Sequence, residues 1–130
     1  RPKPFYRGDA WAHISSHDLI HWKLHPTALK PTDDTPERAI YSGNMFLNKK
    51  GVPTIMYQGL GAGNSIAISS GDDWLEYWDR HPNNPVIPYA EYSLDNDGAE
   101  YRTILDKMPD YGQYDIWDPH CWLEGDTMVF

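Results

Sequence analysis

One cysteine, Cys121, stands in 130 residues. A lone thiol cannot build an internal disulfide framework, and it leaves the cellular compartment open. No apolar run reaches 18 residues, so no segment reads as a membrane-spanning helix and no membrane partner is expected. Cations are scarce: 11 Lys and Arg face 19 Asp and Glu, for a formal net charge of −8. Phosphate contacts need clustered Lys and Arg, so nucleic acid is not an expected partner either. Long helical patterns are missing too, because eleven Pro and ten Gly punctuate the chain at short intervals. There is no starting Met and no signal-like segment, and Phe130 falls inside a strand pattern, so the chain reads as an excerpt of a longer protein.

What is present is aromatic. Six Trp and nine Tyr exceed what a core of one small domain needs, and such rings often line carbohydrate sites. The last sixteen residues, from Asp115, hold apolar and aromatic runs on both sides of Glu124-Gly125-Asp126, the pattern of a β-hairpin. Pro119 cannot donate to a ladder and belongs at a strand's start or edge. Asp118 is therefore expected at the mouth of a strand, where an acid can be held and still reach a ligand. The competing reading is a plain turn-former, since Asp before Pro favours turns.

The chain also repeats. Ile14-Ser15-Ser16 recurs as Ile68-Ser69-Ser70, 54 residues on, and Trp22-x-x-His25-Pro26 recurs as Trp78-x-x-His81-Pro82, 56 residues on. A second pairing sets Tyr41 to Tyr57 (strand, Asn48–Gly51 turn, strand) beside Trp117 to Phe130, which overlays Ser42 on Asp118 and Tyr41 on Trp117. All-β repeats of this length are the signature of a β-propeller, whose innermost strands open onto one central channel. The division expected is blade ends near 1–30, a blade over 40–88, an insertion loop over 89–114 with local structure near Tyr101 to Leu105, and the start of another blade over 115–130. A β-sandwich with chance similarity is the alternative.

Trp11-Ala12-His13-Ile14-Ser15-Ser16-His17-Asp18-Leu19-Ile20-His21-Trp22 resembles the "WGHAVSxDLxHW" run of glycoside hydrolase family 32, the β-fructofuranosidases, levanases and inulinases. Tyr41-Ser42-Gly43-Asn44 is similar to that family's "WSGS", and Gly51-Val52-Pro53 to Gly59 to its "G-x-P-x-x-x-Y-T-G". Trp117-Asp118-Pro119 falls where the family has "RDP". The resemblance implies an all-β chain forming about two blades of a five-bladed propeller, in a glycosidase that cleaves fructosyl bonds with retention and needs no cofactor and no metal. That chemistry uses a nucleophilic carboxylate, a proton-donating acid and a third acid that grips sugar hydroxyls in the transition state. By motif Asp118 is the third acid. The family's nucleophile lies in an "NDPNG" motif upstream of Trp11 and its acid/base in an "EC" motif downstream of "RDP", so this chain would carry one acid of three and be inactive alone. Tyr41, Ser42, Trp117 and Tyr6 are the implied substrate contacts. Trp117 for Arg, Tyr41 for Trp and Asn44 for Ser are departures, and they keep open an inverting arabinosidase or xylosidase of a related five-bladed family. A propeller that binds carbohydrate or protein without cleaving it is the reading from a different class.

Other constellations weigh less. His13, His17, His21 and His25 fall at steps of four, a metal-binding stripe only on a helix, and this segment reads as strand and turn. Asp95-Asn96-Asp97-Gly98 has its Gly too early for a calcium loop and reads as a solvated turn. Trp22, Trp78 and Trp122 are expected to pack between strands, and Cys121 to be buried and unreactive.

Overall fold

The computed structural model describes residues 10–88, 92–95, 98–101 and 116–129, and among these it contains strands and turns but no helix. In chain order the strands are β1 (Ile14–Ser15), β2 (Lys23–Leu24), β3 (Ile40–Leu47), β4 (Pro53–Gly59), β5 (Gly63–Ser69), β6 (Trp78–Arg80), β7 (Ile87–Pro88), β8 (Tyr92–Asp95), β9 (Gly98–Tyr101), β10 (Trp122–Glu124) and β11 (Thr127–Val129). The main sheet runs β3-β4-β5-β6, with β7 on the same edge of β5 as β6; β1-β2, β8-β9 and β10-β11 are separate hairpins, and every pairing is antiparallel.

Thr54-Ile55-Met56-Tyr57 forms the centre of that sheet, as β-branched and aromatic residues do on a pleated surface. From Thr54 to Gly59 every residue is buried, because both faces of β4 are covered. On one face Ile55 and Tyr57 join Leu29, Ile40 and Ala67, with Trp11 and Trp78 packed against them. Glu37 lies in the same layer. Its Oε1 accepts hydrogen bonds from the Tyr57 hydroxyl at 3.2 Å and from Arg80 Nε at 2.8 Å, while Arg80 Nη2 donates to the Lys30 carbonyl at 2.7 Å. These bonds strap the segment preceding β3 across the sheet. On the other face Met56, Ile66 and Ile68 look toward Cys121 and Met128, across a cavity of about 720 Å³. A sheet covered on one face by the chain before it and on the other by the chain after it is the stacking of blades in a β-propeller.

Local chemistry fixes the turns. Asn48 Oδ1 accepts from the backbone N–H of Lys50 (2.9 Å) and Val52 (3.1 Å), and Gly51 takes the left-handed φ of 72° that closes the β3-β4 hairpin. Gly43 marks an irregularity in the β3-β4 register, between Ile40 and Gly43. A Cβ there would overlap the Met56 carbonyl oxygen and come within 2.8 Å of the Tyr57 Cα, so only glycine lets β3 approach β4 so closely.

The fourth strand is broken into β6 and β7, and Asn84 bridges the gap. Its Oδ1 accepts from the Ile66 N–H at 3.0 Å while its Nδ2 donates to the Ile66 carbonyl at 2.8 Å. A side-chain amide carries one carbonyl and N–H donors, as a peptide group does, and here it stands in for the missing strand neighbour.

Three expectations need adjustment. Trp78 packs on the core, but Trp22 and Trp122 are 52% and 44% exposed among the described residues. The strand foreseen from Ala10 to Ser15 shortens to β1 plus an isolated bridge between Trp11 and Leu29. Asp95 and Gly98 are paired ends of the β8-β9 hairpin; residues 96–97 between them, and the local structure foreseen near Tyr101 to Leu105, lie outside the described residues except for Tyr101 itself.

Candidate functional site

Tyr41 and Ser42 occupy the irregular stretch of β3, where the register shifts by one residue between Ile40↔Gly59 and Gly43↔Tyr57. Ser42 is exposed there and Tyr41 half-buried, and the Tyr41 carbonyl accepts the Trp11 indole N–H at 2.7 Å. That bond anchors the Tyr41 backbone to the opposite layer while the Ser42 side chain faces outward.

Trp117 and Asp118 are presented by a different device. Ile116, Pro119 and Cys121 are buried, and Trp117 and Asp118 are exposed between the first two of them, Trp117 at 57%. Asp118 lies in a bend, and β10 begins at Trp122, so the acid stands four residues ahead of the strand it was expected to head. Pro119 supplies no N–H to a ladder, which is why pairing starts beyond it.

The two segments meet at Asn44. Its Nδ2 donates to the Cys121 carbonyl at 2.8 Å and its Oδ1 accepts the Cys121 N–H at 2.7 Å, a two-bond clamp like that of Asn84 on Ile66. The clamp ties the strand bearing Tyr41 and Ser42 to the segment bearing Trp117 and Asp118. Sequence reading noticed Asn44 only as a departure from the motif it resembles. The signal that could have found it is an Asn in a strand interior, where propensity alone disfavours it. Tyr6 lies outside the described residues.

The remaining polar groups form structural networks. His13 and His25 stack with ring centroids 4.3 Å apart. His25 Nδ1 bonds Glu76 Oε1 at 2.7 Å and its Nε2 bonds Ser15 Oγ at 2.7 Å, the order of a serine–histidine–carboxylate array. The His25 side chain, however, is wholly buried, and its ring is roofed by Trp74, over which Lys23 Nζ sits at 4.2 Å. A general base needs a reacting atom within reach, so this array reads as a core hydrogen-bond network that joins the β1-β2 hairpin to the β5-β6 loop. His13 Nδ1 is buried without a hydrogen-bond partner; desolvation, and then the charge of neighbouring His25, hold its pKa below the ordinary value. His21 faces out and pairs with Asp18 at 2.7 Å, so the four histidines at steps of four do not share a face.

Among the described residues, cavities border the main sheet. The 720 Å³ space is lined by Phe46, Met56, Ile66, Ile68, Cys121 and Met128, among others, and none of the described residues lining it is a carboxylate. Cys121 is free, and burial pushes its thiol pKa up, away from nucleophilic reactivity. The second cavity, of 340 Å³, lies beside the Glu37–Arg80 pair, with Asp34 and Asp79 on its wall. Asp34 is held below the usual carboxylate range, chiefly by its hydrogen bond with Thr32.

The sequence profile of the Glycosyl hydrolases family 32 N-terminal domain matches residues 3–129. The chain is similar to a sucrose-6-phosphate hydrolase of Escherichia coli, 39% identical over 121 residues, covering 90% of this chain and 22% of that protein. It is similar also to β-fructofuranosidase, insoluble isoenzyme 6, of Oryza sativa subsp. japonica, 34% identical over 94 residues, covering 67% of this chain and 16% of the relative. Among solved structures, fructan 1-exohydrolase IIa from Cichorium intybus in complex with 1-kestose superposes with a TM-score of 0.58 at 27% identity, covering 70% of this chain and 18% of that one. The chain thus spans about a fifth of the length of the proteins it matches.

Proposed function

Because the chain belongs to glycosyl hydrolase family 32, as part of its N-terminal domain and of a five-bladed β-propeller, we propose that the full-length protein hydrolyses fructosyl linkages of sucrose, levan or inulin type with retention of configuration. In this reading a carboxylate attacks the anomeric carbon as a second acid protonates the departing oxygen, forming a fructosyl-enzyme. The second acid, now a base, then activates water to release fructose with its original configuration. Both groups belong to the full-length protein. The acid this chain contributes is Asp118, whose carboxylate accepts hydrogen bonds from sugar hydroxyls that strengthen as positive charge develops on the ring.

The observation that supports the reading is the Asn44–Cys121 clamp, which brings the outward-facing Ser42 and the outward-facing Asp118 onto adjoining segments, two residues and three residues from its two ends. Tyr41 adds a half-buried ring with a hydroxyl, and Ser42 a hydroxyl. Trp117 offers a flat apolar wall and a single N–H donor where arginine would offer five. Hydrogen-bonded sites discriminate strongly and apolar walls weakly, so the site tolerates variation in the terminal sugar.

Two measurements on the full-length protein test this. NMR of the first-formed product from sucrose or an inulin oligomer is expected to give fructose in the anomeric configuration of the substrate. An initially inverted product would place the protein with the inverting five-bladed glycosidases, and no turnover would make it a binding propeller. Across sucrose, an inulin oligomer and an arabinofuranoside, kcat/KM is expected to vary by no more than about two orders of magnitude, the reach of apolar discrimination.

A further inference from the structure

We propose that Asn44 is a positioning residue for Asp118, an inference that rests on the role given to Asp118 above. Among the described residues no side chain holds the Asp118 carboxylate by a hydrogen bond or ion pair, so its place is set through the backbone on either side. On the C-terminal side that backbone is short and stiff. Pro119 is buried with its φ fixed by its ring, and three residues after Asp118 the N–H and C=O of Cys121 are both held by one amide.

Two further contacts between the described parts of the two segments are weaker guides to alignment. Lys49 Nζ also meets Asp126 Oδ1 at 3.1 Å between the main sheet and residues 116–129, and the two side chains are 64% and 85% exposed. An exposed pair of long side chains contributes little to geometry or stability, and it sits at the far end of the β10-β11 hairpin from Asp118. Met56 and Phe46 face Cys121 and Met128 across an open cavity, and a non-directional apolar layer of this kind resists separation more than sliding. Of these contacts the Asn44 clamp, with two bonds to one residue, is the one that fixes register.

The residue type follows from the task. Only a side-chain amide donates to a carbonyl and accepts from the same residue's N–H in one plane, as Asn84 does at Ile66. Serine has one oxygen to serve both partners and a shorter reach. Aspartate accepts from the N–H but faces the Cys121 carbonyl with a charge and no donor. Displacements on the order of 1 Å in a catalytic group can cost about 10²-fold in rate. Releasing the clamp is expected to act on the step where Asp118 gains contact strength, and so on kcat more than on KM.

The test is a double-mutant cycle in the full-length enzyme, with sucrose and an inulin oligomer as substrates. Asn44→Ala is expected to lower kcat by at least about 10-fold with KM within about threefold, and Asn44→Ser to fall between it and wild type. Adding Asn44→Ala to Asp118→Asn is expected to cost little further, because the carboxylate it positions is already gone. Unchanged kcat in Asn44→Ala, or losses that simply add in the double variant, would overturn the inference. If Asn44→Ala does not fold, the same criteria apply to Asn44→Ser. Should Asp118→Asn by itself keep full kcat, it is the role of Asp118 that fails, and the two outcomes are distinct.

Discussion

The chain contains the same turn twice, and the two copies carry different loads. In the first, Ser16 Oγ accepts the Leu19 N–H at 2.8 Å and Asp18 Oδ1 accepts those of Ile20 (2.9 Å) and His21 (2.8 Å), with Leu19 at a positive φ of 64°. In the second, Asp72 Oδ1 accepts from Trp74 (3.0 Å) and Glu76 (2.9 Å) and Oδ2 from Tyr77 (3.1 Å), with Leu75 at 56°. Either way an aspartate gathers backbone N–H groups and its pKa is drawn down, at Asp18 chiefly by the His21 side chain and at Asp72 chiefly by the Glu76 N–H. In each copy a leucine accepts left-handed strain so that the following strand can turn back. Beyond the turn the copies part. His25 is buried and docks on Ser15 and on Glu76 of the second copy, whereas His81 is half-buried and its Nδ1 accepts only from the Asn83 N–H. Repetition in sequence preserves the local turn, and the tertiary partner decides whether the histidine after it becomes a stitch between sheets.

That contrast can be broken most visibly at the two histidines. His25→Ala in the full-length protein leaves Ser15 and Glu76 without their buried partner and is expected to lower stability by about 3 kcal/mol. His81→Ala removes one local bond and is expected to cost under about 1 kcal/mol. Urea titration of both variants checks this, and equal losses would mean that the copies bear equal loads. A smaller effect sharpens the same point. The folded-state pKa of His13 lies below its ordinary value of 6.5, so the unfolded chain binds that proton more readily. Its contribution is fully present above pH 6.5 and is lost as pH falls from there through the folded-state value. Urea midpoints at pH 8 and pH 5.5 are expected to show a drop in wild type that narrows in His13→Asn, and an unchanged drop would remove His13 from the pH response.

The all-β class was legible because its signals are local. Asn48 and Gly51 announce their own turn, and the alternation from Tyr41 to Leu47 announces a half-covered strand. The repeat was legible for the same reason, since Ser16, Asp18 and Leu19 build the first turn with their own atoms and backbone. What the sequence hid depends on partners far along the chain. Asn44 and Cys121 are 77 residues apart, His25 and Glu76 are 51, and neither pair is marked by spacing or composition. Trp22 and Trp122 show the converse. An indole beside a strand pattern looks like core, yet which face is covered depends on what lies against it, and here both are exposed. Asp118 was picked out by a motif, while its bend and the buried Ile116 and Pro119 flanking it came from the structure.

Asp118 is the residue on which the proposed site depends. In the full-length enzyme, kcat for sucrose and the melting temperature should be measured together for wild type and Asp118→Asn. A carboxylate that strengthens its hold on the sugar only as the transition state forms predicts a fall in kcat of roughly 10² to 10³, or about 2.7–4 kcal/mol of barrier. Tm should stay within a few degrees, since the exposed side chain supports nothing around it. Wild-type turnover with a Tm lowered by ten degrees or so would mean that Asp118 is only a turn residue before Pro119, and would contradict the site described for this chain.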